Sequence, residues 1–250
     1  MTTNGATFVK GGPSLGALLL GIIDRPAATF RAVAARRGVL TWLAPLLVVL
    51  FCLAPMVVVQ APYNVEVAQQ QVRRQMETMP EEQQKQASAQ METFTSARFL
   101  MATGLVTGAI SLMLGVLAQS LLLYMGGMVA GGELTFGLLF RLSAWSRLPY
   151  AVSYLALAGF VFLAGRAVHY PGLSILVATG NLLQDTGTPL FTLLSTIDLF
   201  WLWHLVLVAV ALAPGGGARL QRGAAIILTS LYAILSLAVQ TAPTLLLGSR

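Results

Sequence analysis

The chain has 250 residues, 56% of them apolar and only 10% charged, with a formal net charge of +6 and a mean hydropathy of +0.77. Soluble domains carry roughly 25% charged residues, so a charge content this low excludes an ordinary water-facing globule and makes lipid part of the solvent. The positive excess does not form a nucleic-acid patch, because Lys and Arg sit at the edges of apolar runs, where membrane proteins place them.

The first apolar run, Leu15–Ile23, has the length of a signal-peptide core, but Asp24-Arg25-Pro26 follows it in place of a small-residue cleavage site. It is too short to span and is expected to be an interfacial or packed helix rather than a re-entrant loop. The next stretch opens with Pro26, suited to a first helical turn, and closes on Arg36-Arg37-Gly38, suited to a last turn and stop. Phe30, Val33 and Ala34 fall on one face and Arg31 on another, so an amphipathic helix on the inner membrane surface is expected. Arg31, Arg36 and Arg37 are then its membrane-surface basic residues, each gaining about 1 kcal/mol from anionic lipid. Residues 1–38 read as a cytoplasmic segment and 39–250 as a transmembrane domain.

A bilayer core about 30 Å thick needs roughly 20 mostly apolar residues per spanning helix. Five runs qualify: Val39–Gln60, Phe99–Met128, Leu148–Ala164, Leu190–Leu212 and Ala224–Leu247. Between the first two lies the hydrophilic stretch Ala61–Ala97, rich in Gln, Glu and Met. It reads as two polar helices broken at Thr78-Met79-Pro80 that extend the flanking spans as an extracytoplasmic hairpin. Val65, Val72 and Met76 are expected on one face, Met91 and Phe94 on the other. The short apolar stretch Leu173–Leu183 is expected to be an interfacial or packed helix.

Orientation follows from the basic residues. An inside N-terminus places Lys10, Arg25, Arg31, Arg36, Arg37, Arg141, Arg147, Arg219 and Arg222 in the cytoplasm, nine in all. It leaves six outside, Arg73, Arg74, Lys85, Arg98, Arg166 and Arg250. The positive-inside rule then gives N-in and, with five spans, C-out.

Few residues at membrane depth carry chemistry. Asp198 lies two turns into the fourth run; with Ser195 or Thr196 as cap it occupies a favourable first turn, and the alternative bonds it to a neighbouring helix or a headgroup. His204 lies deeper and reads as a hydrogen-bonded core residue before a ligand. The two are six apart and so do not share a helical face. Trp201, Trp203 and Tyr170 read as an interfacial aromatic belt. Gly131-Gly132 stops the second span, Leu134–Trp145 forms a short amphipathic connector with Arg141 and Arg147 snorkelling to the interface or docking a cytoplasmic partner, and Pro149 opens the third span. Gly104 and Gly108 permit close helix packing, and Gln119 and Ser120 add structural polar contacts. One cysteine, Cys52, and two histidines, His169 and His204, leave no disulfide or metal pattern. No phosphate loop, HExxH, GxSxG or carboxylate pair appears, and no charge cluster or pair of interrupted helices marks a substrate path.

The order of these features resembles the Yip domain family, named for interaction with Ypt/Rab GTPases. The resemblance rests on the helix opened by Pro26 with Phe30 four on, on GG-x-L-TF-xx-LF-R-LSAWSRLP from Gly131 to Pro149, on HYPGL, and on Asp198, Phe200 and Trp203 within Ile197–Val208. It implies five spans, a cytoplasmic N-terminus and no catalytic activity. The long polar outer loop is similar to that of bacterial members, some of which look like accessory partners of ABC-type export systems, and implies a bacterial inner-membrane location. The missing acidic N-terminal tail argues against Rab binding. An all-α polytopic bundle acting as a non-enzymatic scaffold or accessory subunit is therefore expected. It would need no cofactor or nucleic acid, and its partners would be membrane lipids and a protein or a second copy of itself. The alternative is a channel, transporter or lipid-moving protein that uses Gln119, Asp198 and His204.

Overall fold

The computed structural model describes residues 13–77, 80 and 94–247. Among them the fold is all helical. The short N-terminal helices are α1 (Leu15–Asp24) and α2 (Pro26–Ala35), and the first long one is α3 (Val39–Glu77). α4 (Ala97–Val129), α5 (Phe136–Ser146) and α6 (Leu148–Ala164) follow. After a 3-10 turn at Ser174–Val177 come the one-turn α7 (Leu182–Asp185), then α8 (Pro189–Thr196), α9 (Leu199–Leu212) and α10 (Arg222–Leu247). Four stretches are long and apolar enough to cross a membrane: Val39–Arg74, Ala97–Val129, Phe136–Ala164 and Arg222–Leu245. The bent pair α8 and α9 makes a fifth if it is one span.

α3 is the longest element, 39 residues, or about 58 Å at 1.5 Å per residue. It carries Pro45, Pro55 and Pro62 internally, which a membrane bundle tolerates because neighbouring helices supply packing and polar partners for the interrupted backbone. The helix does not end with its apolar run. It continues into the polar region to Glu77, as the first half of the expected extension. There Val65, Val72 and Met76 are half-buried and Glu66, Gln69, Gln70, Arg73 and Arg74 are exposed. The expected break at Thr78-Met79, and the second polar helix with Met91, lie outside the described residues.

The small residues of α4 are spent inside the chain. A Cβ on Gly104 would meet Val57, one on Gly108 would meet Leu53, and one on Gly126 would meet Leu228. Close approach at these points lets α4 lie against α3 along one part and α10 along another.

The centre of the bundle is α5. It packs against α2, α3, α4 and α9, and its residues Leu142 to Ser146 are all buried. The sequence reading made this stretch an interfacial connector; its second half is instead enclosed on every side. Thr135 caps its start by accepting from the Leu138 amide. Trp145, fully buried, anchors it by donating its indole N–H to the Thr41 carbonyl at 2.6 Å.

α1 and α2 complete the same core. Leu18, Ile22, Phe30 and Val33 cluster with Leu139, Leu142 and Trp145 of α5, Leu207, Val208, Ala211 and Leu212 of α9, and Leu228 of α10. The face of α2 expected to enter lipid is thus covered by protein: Phe30 and Val33 are both 0% exposed. α1 is the packed helix that its length suggested.

The expected fourth span is broken. α8 and α9 meet at 63°, and the expected helix over Leu173–Leu183 is replaced by the 3-10 turn and a loop. The two departures have one cause. Gly172, at φ +59, brings the loop backbone onto the end of α8, and the Leu173 amide donates to the carbonyls of Leu194 at 2.9 Å and Ile197 at 3.2 Å. A loop thereby satisfies carbonyls left open where the helix stops. The loop is itself clamped by Asp185, 2% exposed, whose carboxylate accepts from the amide and hydroxyl of Thr179.

Candidate functional site

Polar side chains from four of the helices and the turn between α5 and α6 are gathered into one cluster inside the bundle. Arg147, at the turn between α5 and α6, donates from Nη2 to the Gly115 carbonyl and to the Tyr232 hydroxyl, each at 3.1 Å. The Tyr232 hydroxyl lies 3.0 Å from His204 Nε2, and His204 Nδ1 lies 2.7 Å from the Ser146 carbonyl. Because that carbonyl only accepts, Nδ1 carries a proton. A neutral imidazole then accepts at Nε2 from Tyr232, and Tyr232 accepts from Arg147. Every link has a donor and an acceptor in one consistent direction.

A second branch leaves the same turn. Gln119 Nε2 donates to Ser146 Oγ at 3.1 Å, and Ser146 Oγ donates to the Ser143 carbonyl at 2.8 Å. The Tyr150 ring lies against both cationic and imidazole groups, 5.7 Å from the Arg147 guanidinium carbon and 5.3 Å from the His204 ring. Gln119 Oε1 and Arg147 Nε are buried without a hydrogen-bond partner. Among the described residues no carboxylate stands within ion-pair distance of Arg147. Its charge is held by carbonyl and hydroxyl dipoles and by an aromatic face.

The predicted residues separate into groups. His204 is fully buried and has both ring nitrogens engaged, as expected of a core histidine. Arg147 does not snorkel; it turns into the bundle. Pro149 is buried at the start of α6. Asp198 is itself the cap of α9, accepting from the Trp201 amide at 2.7 Å, in place of the expected Ser195 or Thr196, because the chain breaks between Thr196 and Leu199. Trp201 is buried, so it does not belong to an exposed belt. Trp203 is half-buried against the core, and Tyr170 packs edge-on against Phe191. Outside the spans, desolvation and then the Asp185 carboxylate hold the Tyr170 phenol above its usual range.

The basic residues before α3 make local contacts. Arg31 donates to the Gly215 carbonyl at 2.5 Å, Arg36 donates to the Pro13 carbonyl, and Arg37 is exposed and near enough to Arg141 to repel it.

Sequence reasoning missed Tyr232 and the Ser146 carbonyl. Tyr232 is the one hydroxylated aromatic in its span, which is a usable signal; a backbone carbonyl leaves none. Among the described residues no three His, Cys, Asp or Glu side chains gather as a metal site.

Comparison with known proteins gives one match. Residues 20–241 match the family model described as the Yip1 domain, nearly the whole chain, and the chain belongs to that family. No curated protein and no solved structure matches it.

Proposed function

We propose that this Yip1 domain family member, a multi-pass membrane protein, is a non-enzymatic scaffold or accessory subunit of a membrane complex. The observation that carries the reading is the continuation of α3 beyond its apolar run. From Ala61 to Glu77 a single helix carries an exposed polar face of Glu66, Gln69, Gln70, Arg73 and Arg74 and a half-buried face of Val65, Val72 and Met76. Seventeen residues reach about 25 Å past the apolar run Val39–Gln60, which offers a partner a stiff, side-specific surface. Positive-inside counting supports an inside N-terminus. A bacterial inner membrane and an ABC-type export system are the location and partner we favour, on the resemblance of the polar outer segment to bacterial members.

Affinity purification of the full chain in mild detergent tests this. A stoichiometric partner or a second copy is expected. It should be lost when Arg73 and Arg74 are both changed to Glu. Recovery as a lone monomer counts against the proposal.

A second reading is favoured by the broken pair α8 and α9 beside the Arg147–Tyr232–His204 chain, since discontinuous helices with polar residues at depth are features of transport sites. It predicts a flux in reconstituted vesicles that falls in the Asp198→Asn, His204→Ala double variant; flux that persists unchanged removes these residues from any path.

A further inference from the structure

A cleft of about 570 Å³ opens where α2, the α4–α5 loop and the α9–α10 loop meet; it is lined by Arg31, Glu133 and Arg219 together with Gly132, Gly216 and Gly217. Its volume is within the range of small-molecule sites, roughly 300–1,000 Å³. The apolar helices α4 and α9 end beside it and α5 and α10 begin there, so it sits where the bundle leaves the apolar layer.

Two features set this cleft apart from a chance crevice. The α9–α10 loop folds back on the end of α9: the Ala218 and Leu220 amides donate to the carbonyls of Ala211 and Leu212 at 3.0 and 2.9 Å, and both side chains are buried. At the tip of this folded loop Arg219 has φ 55, a left-handed conformation that costs an L side chain and suits glycine. Glycines stand at 215, 216 and 217, yet the strained position keeps an arginine, exposed and lining the cleft. Arg31 is held by its bond to the Gly215 carbonyl. That bond uses one of five N–H donors and leaves the rest of a fixed fork free.

We propose that this cleft binds the phosphodiester of a membrane phospholipid headgroup, with Arg31 and Arg219 as its anion contacts. Among the described residues Glu133 is the single carboxylate in the lining. It opposes a second negative charge, so the cleft selects a singly charged phosphodiester over phosphatidic acid or free phosphate. The site stands apart from the scaffold reading, because lipid retention is a property of the isolated chain.

Native mass spectrometry of the full-length protein, delipidated in detergent and titrated with phosphatidylglycerol, phosphatidic acid or inorganic phosphate, tests the assignment. One retained phosphatidylglycerol per chain is expected. Arg219→Gly relieves the backbone strain, so it should keep or raise the thermal midpoint while weakening retention at least tenfold. If its midpoint falls, Arg219→Gln replaces it with the same expected loss. Glu133→Gln should narrow the preference over phosphatidic acid at least threefold. Unchanged retention in the Arg219 variant, or saturation by inorganic phosphate with no phosphatidylglycerol retained, overturns the proposal.

Discussion

The Tyr232 hydroxyl stands between Arg147 and His204 and serves both. Removing it leaves the buried His204 and the half-buried Arg147 each short of a partner, at a typical cost of about 1–3 kcal/mol. Tyr232→Phe should therefore lower the thermal midpoint in detergent; a midpoint equal to wild type would mean that the hydroxyl is idle. Asp198 supports a narrower prediction. As the cap of α9 it accepts from the Trp201 amide, so Asp198→Ala should lose about 0.5–2 kcal/mol while Asp198→Asn keeps most of the stability. Equal losses from both would show that its charge, and not its capping oxygen, matters. At this scale the sequence identified His204 and Asp198 as polar residues at depth, but it could not show their partners. A side chain from another helix, 28 residues away, or a carbonyl from α5 leaves no local pattern.

At the scale of elements, the HYPGL segment gains a physical role. A Cβ on Gly172 would meet the carbonyls of Ile197, Ser195 and Leu194 within 3 Å, at a φ of +59. Gly172→Ala should break the loop's hold on α8 and sharply reduce folded yield, whereas Gly180→Ala, at positive φ but in open space, should cost only the smaller conformational strain. Fluorescence-detected size exclusion of the two variants checks the order. Apolar length was legible for α3, α4, α6 and α10, and Leu148–Ala164 coincides with α6. The break after Thr196 was not, because an apolar run carries no mark of a remote loop capping its middle. The enclosure of α5 was hidden for a related reason. Leu134–Trp145 has the mixed composition of a surface helix, yet its polar member Ser143 is buried, and the next residue, Ser146, is buried against Gln119 and not in water.

At the scale of the whole molecule, membership of the Yip1 domain family and four to five apolar spans define a membrane bundle whose N-terminal helices belong to its core. Phe30 and Val33 connect α2 to α5 and α9, so removing residues 1–38 should destabilise the bundle rather than free it, and the truncated chain should aggregate in detergent. The proposed scaffold role places partner binding on the polar length of α3 beyond its apolar run. A photo-crosslinking residue placed at Arg73 in the full chain, in intact membranes, tests that most directly. The account predicts a discrete protein adduct of one mass, absent when the same residue is placed at Phe51 on the exposed part of the apolar run. Illumination that yields no protein adduct from Arg73 would contradict a scaffold role for this helix.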